Sequence, residues 1–244
     1  MDFTALQRRM TLYLIALWGR PFAVVGGEGP LPSLHADAIR IPAGWFVSQG
    51  IPALSRYRAA TVHAAAHLVY GAAPFVANGL KGRQRALIAL MEDTRVESLA
   101  MREFPGLCRL WSEFHRGSEA DGNGFDALLA RLARACIDPD YRDDNPWVSK
   151  GVALYRDHVH ESADALSARA VGLQLANDIG QLRIPMNEAQ PLCDAAYHDD
   201  NLHLWVQEQT LSAADGQSAS ANVARQSAHL VVTHGGKELP FAAD

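Results

Sequence analysis

Two histidines, His63 and His67, lie four residues apart in an alanine-rich stretch of the chain. On a helix this spacing puts both rings on one face, where they can share a metal ion. The small side chains around them would let a second helix approach closely. The pair therefore predicts one of two arrangements, a zinc site or a purely structural network of histidines and carboxylates.

The residue that follows His63 limits the chemistry of such a site. In zinc peptidases a glutamate directly after the first histidine is the general base that activates the metal-bound water. Here that position holds Ala64, and a methyl group cannot accept a proton. We therefore expect a zincin-like helix that lacks the usual hydrolytic chemistry, and we assign no catalytic residue.

Three carboxylates in the next helical segment are candidate partners of the histidines. Glu92 follows His67 by 25 residues, a gap compatible with gluzincins, which take a third ligand from a glutamate on the next helix. On a helical wheel, Asp93 and Glu97 lie on one side, and Glu92 lies on the flank. The tentative metal ligands are His63, His67, Glu92, Asp93 and Glu97.

The same segment has the pattern of a largely buried helix, because its apolar residues are spread around nearly the whole circumference. Buried carboxylates are costly unless they are paired or bound to a cation. The histidines, with or without a metal ion, are natural partners for them. The side that carries Arg95, Ser98 and Arg102 is expected to face solvent.

Hydrophobic periodicity predicts a mainly α fold, with a zincin-like helix pair and at most a short β element. Residues 38–42 alternate like a short strand, and Pro42 favours an edge position for it. Residues 20–37 are rich in glycine and proline and are expected to form a loop. The predicted helices span 3–19, 54–71, 82–103, 107–114, 125–136, 146–160 and 162–180.

Composition excludes several classes of partner. The net charge of -5 argues against a surface for nucleic acid, and the apolar run near the N-terminus is too short to span a bilayer. Three widely spaced cysteines without a Cys-x-x-Cys motif do not form a disulfide framework. We expect a cytoplasmic protein with no membrane insertion.

The C-terminal third contains a possible domain boundary and a repeated turn. Residues 212–220 are small and polar, which predicts a helical domain over 1–210 and a linker-like tail over 211–244 leading toward an absent C-terminal domain. An Asp-Asp-Asn triplet lies between aromatic residues twice, at 141–147 and at 197–205. We interpret both copies as turns or helix starts, for which these residues are suited.

Several motifs together resemble the N-terminal region of the NorD/CbbO family, over most of residues 55–115 and parts of the C-terminal third. The specific parts are the Glu-Asp-x-Arg-Val-Glu run at 92–97 and the Phe-Pro-Gly-Leu-x-x-Leu-Trp run at 104–111. Three further features are similar to that family: the histidine pair, the Tyr-x-Asp-Asp-Asn segment at 197–201 and the Leu-Pro-Phe exit at 239–241.

The resemblance implies a non-enzymatic accessory role. Members pair with a MoxR-type AAA+ ATPase of the NorQ/CbbQ kind to activate or remodel a target enzyme, Rubisco in one branch and nitric oxide reductase in another. They usually continue into a von Willebrand factor A domain, before which this chain stops. The rival hypothesis is a zincin-like metal-dependent hydrolase, degenerate because of Ala64, in which Glu92 or Glu97 would be an unusual base.

Overall fold

The computed structural model describes residues 2–35, 38–45, 52–186 and 195–207. Its described part is mostly helical, as the sequence predicts, with a three-stranded and a two-stranded sheet. None of its helices is long and apolar enough to cross a membrane. The helices are α1 (Phe3–Trp18), α2 (Ala53–Tyr70), α3 (Gly82–Glu103), α4 (Gly106–Ser112), α5 (Phe125–Ile137), α6 (Pro146–Leu154) and α7 (Ala165–Gln181).

The helices begin and end close to the predicted positions, because local signals set their ends. Gly19 ends α1 with a positive φ of 65°, which glycine adopts without strain. Asn145 caps α6 by accepting hydrogen bonds from the backbone N–H groups of Trp147 and Val148. The predicted helix over 146–160 consists of α6 followed by a π-helical turn at Tyr155–Val159.

The β structure is more extensive than the sequence predicts. The strands are β1 (Ala23–Gly27), β2 (Ser33–His35), β3 (Ala38–Pro42), β4 (Phe75–Val76) and β5 (Trp205–Val206). The predicted strand is β3, but it is central rather than at an edge, since it pairs in parallel with β1 and antiparallel with β2. Pro42 is tolerated there because it is the last residue of the strand and lies beyond the pairing with β2.

Helix α3 separates two hydrophobic clusters. Val96 and Ala100 belong to a cluster with α1, α2 and the three-stranded sheet. Leu87 and Met91 belong to a second cluster with α5, α6 and α7. Because apolar neighbours cover both sides, every α3 residue from Leu87 to Ala100 is buried, including the charged ones.

Two compact units divide the chain. The larger consists of Met1–Phe75 and Gly79–Trp205 and contains both clusters. The smaller consists of Val76–Asn78 with the chain from Val206 onward, of which 76–78, 206 and 207 are described. The predicted tail at 211–244, with its Leu-Pro-Phe exit, lies outside the described residues, as does Cys193.

Candidate functional site: a buried histidine and carboxylate centre

Helix α2 presents His63 and His67 on one face, as their spacing predicts. Their ring centroids are 4.9 Å apart, and both side chains are buried. The alanines of α2 around them, including Ala64, are fully buried. This methyl-lined surface lets α3 pack closely enough for its carboxylates to reach the two rings.

Helix α3 brings Asp93 and Glu97 to the histidines. His63 Nδ1 lies 2.8 Å from Glu97 Oε1, and His67 Nε2 lies 3.1 Å from Asp93 Oδ1. The remaining imidazole nitrogen of His63, Nε2, lies 4.0 Å from the same Asp93 oxygen. Four of the five residues predicted as metal ligands therefore meet in one buried cluster.

Glu92, the fifth predicted ligand, lies elsewhere. Its two carboxylate oxygens accept hydrogen bonds from Arg95 Nε and Nη2, each at 2.7 Å. Arg95 also donates to the backbone carbonyls of Tyr70 and Ser162. Glu92 thus neutralises a buried arginine instead of approaching the two histidines.

The side of α3 that was expected to face solvent is largely buried. Arg95 and Ser98 have 0% and 1% of their surface exposed, whereas the Arg102 side chain is 57% exposed. The expectation was wrong for Arg95 because its guanidinium donates four hydrogen bonds, to both oxygens of Glu92 and to two backbone carbonyls, which offset the cost of burial. Ser98 is buried because its hydroxyl accepts a hydrogen bond from the Glu161 N–H.

A third segment of the chain, 195–204, completes the centre, and sequence reasoning missed its role. Tyr197 donates a hydrogen bond to Glu97 Oε1 at 2.7 Å. His198 stacks on the His63 ring at 4.5 Å. Asp199 Oδ2 lies 3.9 Å from His63 Nε2. The available signal is the density of histidine, aspartate and asparagine in this segment, whose Asp-Asp-Asn triplet we interpret from the sequence as a turn or helix start.

Two more side chains of this segment border the centre. Asn201 Nδ2 donates to Asp93 Oδ2 at 3.0 Å, and its backbone N–H donates to Asp199 Oδ1 at 2.7 Å. The His203 ring packs against the His67 ring at 4.6 Å. On the opposite side, His115 Nε2 lies 3.0 Å from the hydroxyl of Tyr197.

Burial and charge give the groups of the centre different pKa values. Burial raises the pKa of Glu97, but hydrogen bonds from His198 and His63 outweigh it, so that the pKa lies far below its ordinary value. Burial and the nearby His203 and His63 hold the pKa of His67 well below its ordinary value. Glu97 is thus an anion and His67 a neutral imidazole at neutral pH.

The pKa of His63 is shifted in the opposite direction from that of His67. Burial and His198 lower its pKa, but the hydrogen bond from His63 to Glu97 and the negative charges of Glu97 and Asp93 raise it above the ordinary value. His63 Nδ1 donates to Glu97, whereas His63 Nε2 is buried without a hydrogen-bond partner in the described chain.

Three overlapping triads of this centre could hold a metal ion. In each triad the potential ligand atoms lie within 4.8 Å of one another. Imidazole nitrogens and carboxylate oxygens are ligands of zinc and other divalent cations. The triads are His63, His67 and Asp93; His63, Glu97 and His198; and His67, Asp199 and His203.

One side of the centre adjoins a surface groove with a volume of about 540 Å³. His203, whose side chain is 19% exposed, lines this groove together with Arg40, Asp200 and Leu202. His203 also lies beside Asp199, since its Nδ1 is 3.6 Å from Asp199 Oδ1. It is therefore the histidine through which the buried centre adjoins solvent.

Comparisons of the chain with protein-family models, with curated proteins and with solved structures find no match. The resemblance described above accordingly stays a prediction.

Proposed function

We propose that this chain is a non-enzymatic, cytoplasmic accessory domain of the NorD/CbbO type. It docks on a MoxR-type AAA+ ATPase and so helps to activate a target enzyme, Rubisco or nitric oxide reductase. One observation carries the proposal: segments that are distant in sequence, and on which the resemblance rests, meet at the buried centre. Residues shared with a family for a common structural purpose are expected to converge in this way.

The contacts of the three segments show how they converge. Trp111, from the Phe-Pro-Gly-Leu-x-x-Leu-Trp run, donates a hydrogen bond to the carbonyl of Ala59 on α2 at 3.1 Å. Tyr197 stacks on the Trp111 ring at 6.2 Å and donates to Glu97 of the acidic run. The resemblance thus rests on residues that build one scaffold.

Zinc is the metal that suits this scaffold, since the centre combines imidazoles with carboxylates. A zincin-like pair of α2 and α3 remains the prediction from the sequence, but Ala64 stands where a peptidase has its base. Ala64 is fully buried, and Glu97 already accepts hydrogen bonds from Tyr197 and His63. A structural metal in an adaptor is more consistent with these contacts than a hydrolytic one.

Co-purification with a MoxR-type AAA+ ATPase from the same organism tests the adaptor proposal. We expect the chain to retain the ATPase in the presence of ATP and to change its rate of ATP hydrolysis. His63→Ala disturbs the centre and should weaken the interaction, whereas His158→Ala replaces an exposed histidine and should not. An adaptor role would be contradicted if the wild-type chain failed to retain the ATPase and also left its rate of ATP hydrolysis unchanged.

A metal-dependent hydrolase is the second candidate, favoured by the position of His203 between the centre and the groove. A peptide or amide bound in the groove would adjoin this histidine. The zinc-loaded chain should then cleave peptide or amide substrates, and His63→Ala and His203→Ala should abolish cleavage while His158→Ala does not. The adaptor proposal predicts no cleavage above the level of the His63→Ala variant.

A further inference from the structure

We propose that the centre is a four-ligand zinc site made of His63, His67, Asp93 and Asp199, and that its metal ion fastens the 195–204 segment to α2 and α3. The inference deepens the proposed function and rests on its zinc ion. It adds Asp199 as a ligand and assigns Glu97 a positioning role. The ligand atoms are His63 Nε2, His67 Nε2, Asp93 Oδ1 and Asp199 Oδ2.

Three of the distances between the proposed ligand atoms suit a zinc ion. His63 Nε2 is 3.9 Å from Asp199 Oδ2 and 4.0 Å from Asp93 Oδ1. The Asp93 oxygen is 3.1 Å from His67 Nε2. Bonds of about 2.0–2.2 Å in a tetrahedron place ligand atoms roughly 3.3–3.6 Å apart. Each of these three separations therefore lies within about 0.5 Å of the tetrahedral range.

Two of the four atoms have no hydrogen-bond partner. His63 Nε2 and Asp199 Oδ2 are buried, and neither has such a partner within the part of the chain that the structure describes. A buried polar atom without a hydrogen-bond partner lowers the free energy of unfolding. A cation between them would satisfy both atoms at once. The two unpartnered atoms therefore point to a bound cation independently of the clustering of the ligands.

In three of the four ligand residues, the polar side-chain atom that does not bind the metal is already held by a hydrogen bond. Glu97 accepts the Nδ1–H of His63, which leaves Nε2 to face the site. The Asn201 side chain holds Asp93 Oδ2, and the Asn201 backbone N–H holds Asp199 Oδ1. Metal ligands are typically oriented by such outer hydrogen bonds, so Glu97 and Asn201 are positioning residues.

The charge of the centre also calls for a cation. Asp93, Glu97 and Asp199 place three buried carboxylates around the histidines. The buried arginines of the described chain are paired elsewhere, Arg95 with Glu92 and Arg131 with Asp143. A divalent ion balances these carboxylates when both ligating imidazoles are neutral, and two imidazole ligands favour zinc over magnesium or calcium.

The ligand set joins parts of the chain that are far apart. Two ligands come from α2 and one from α3, and Asp199 follows His63 by 136 residues (199 − 63). Zinc therefore closes a long loop, which restricts the unfolded chain and holds the 195–204 segment against the helices. Removing the metal should free the 195–204 segment before it unfolds the helices.

Zinc content and affinity of matched variants test the ligand set. The full chain is purified, its zinc is counted by mass spectrometry, and its affinity is measured by competition with a chelator of known zinc affinity. We expect one zinc ion per chain. Asp199→Asn should weaken binding by more than the about 10–100-fold typical of an outer hydrogen bond, Glu97→Gln should weaken it within that range, and Asp200→Asn should leave it unchanged.

Hydrogen exchange measures how firmly the metal holds the 195–204 segment. Its amides should exchange more slowly in the zinc-loaded wild type than in the chelated protein, and equally in both states of Asp199→Asn. Circular dichroism of each variant checks that the helices are intact, and Asn in place of Asp199 can still accept the Asn201 N–H. Absence of stoichiometric zinc, or zinc affinity of Asp199→Asn equal to that of Asp200→Asn, would overturn the site.

Loss of binding in Glu97→Gln with full binding in Asp199→Asn would also overturn the assignment, because Glu97 would then be the ligand. These outcomes are independent of the adaptor proposal. A chain without zinc that still retains the ATPase would contradict only the metal site. A zinc-loaded chain that does not bind the ATPase would contradict only the adaptor proposal.

Discussion

Glu92 and Asp93 are adjacent in sequence but have different roles in the structure. The wheel separates them by about 100°, so only one of them can face α2. Asp93 does so and contacts His67. Glu92 forms a bidentate pair with Arg95, one turn further along the same helix. Burial raises the pKa of Glu92, and the Arg95 charge opposes that rise.

Replacing Glu92 should therefore affect stability and not metal binding. We expect Glu92→Gln to lower the free energy of unfolding by about 3 kcal/mol, since it leaves the Arg95 charge buried without a counter-ion. Its zinc content should equal that of the wild type. Urea unfolding and metal analysis measure the two effects, with Glu113→Gln, at an exposed position, as the control. Loss of zinc without loss of stability would instead support the gluzincin layout.

The first Asp-Asp-Asn triplet shows how similar residues can serve a structural purpose. Asp143 accepts hydrogen bonds from Arg131 and Tyr141, while Asn145 caps α6. Burial raises the pKa of Asp143, but the hydrogen bonds from Arg131 and Tyr141 outweigh this effect and place it below its ordinary value. Ionised Asp143 therefore stabilises the fold above the pKa of the unfolded chain, about 3.9.

Asp143→Asn should accordingly have a pH-dependent effect. Near pH ~7 we expect it to lower the free energy of unfolding by about 3 kcal/mol, the cost of breaking a buried ion pair. The difference from the wild type should shrink as the pH falls from about 5 toward the folded pKa, where the wild type also loses the charge. Urea unfolding across this range measures it. The exposed Asp144→Asn control should show no such trend, and a constant difference for Asp143→Asn would contradict the ion-pair explanation.

At the scale of elements, α3 is the central helix of the larger unit, and its burial depends on close packing by its neighbours. Helix α7 approaches it at Gly172, where an added Cβ would lie 2.7 Å from the Ile88 backbone nitrogen and Cα. Backbone atoms cannot move aside as a flexible side chain can. The glycine therefore sets the distance between the two helices.

Gly172→Ala should separate α7 from α3. We expect a loss of about 1–3 kcal/mol in the free energy of unfolding, the usual cost of overpacking. Gly180→Ala is the matched control on the same helix, because its Cβ would meet only the end of the Arg83 side chain, at 3.3 Å. Urea unfolding of both variants makes the comparison. Equal stability of the two would mean that the helices are not in tight contact at Gly172.

At the scale of the whole molecule, the larger unit is closed by a segment from near the end of the described chain. Tyr197 has 0% of its surface exposed and packs between Trp111, Phe114 and the His63 ring. Residues from α2, α4 and the 195–204 segment thus share one core. The order of these segments along the chain gives no hint that they meet.

A chain that ends after Met186 should therefore be less stable than one that ends after Thr210, the predicted domain boundary. We expect the shorter chain to lose at least about 3 kcal/mol, the cost of removing one large buried aromatic residue. Urea unfolding of both chains in chelator measures this difference without the contribution of the metal. Equal midpoints would show that the 195–204 segment is not part of the core.

Local rules were enough to predict much of this protein from its sequence. Four-residue spacing places His63 and His67 on one helical face, since a helix repeats every 3.6 residues. Ala64 removes the usual base whatever the surroundings. The same periodicity predicted the helices. It missed β1, whose partner residues in β3 lie 15 positions further along the chain (38 − 23), and β2, which is only three residues long.

Tertiary structure alone decided which groups meet across space. Sequence spacing could not separate Glu92 from Asp93 as a partner of the histidines, because the choice depends on how α3 is rotated against α2 and on burial of Arg95. It could not show that Asp199 reaches His63, since packing, and not distance along the chain, brings them within 3.9 Å. The histidine pair was thus determined locally, while its partners were determined by the fold.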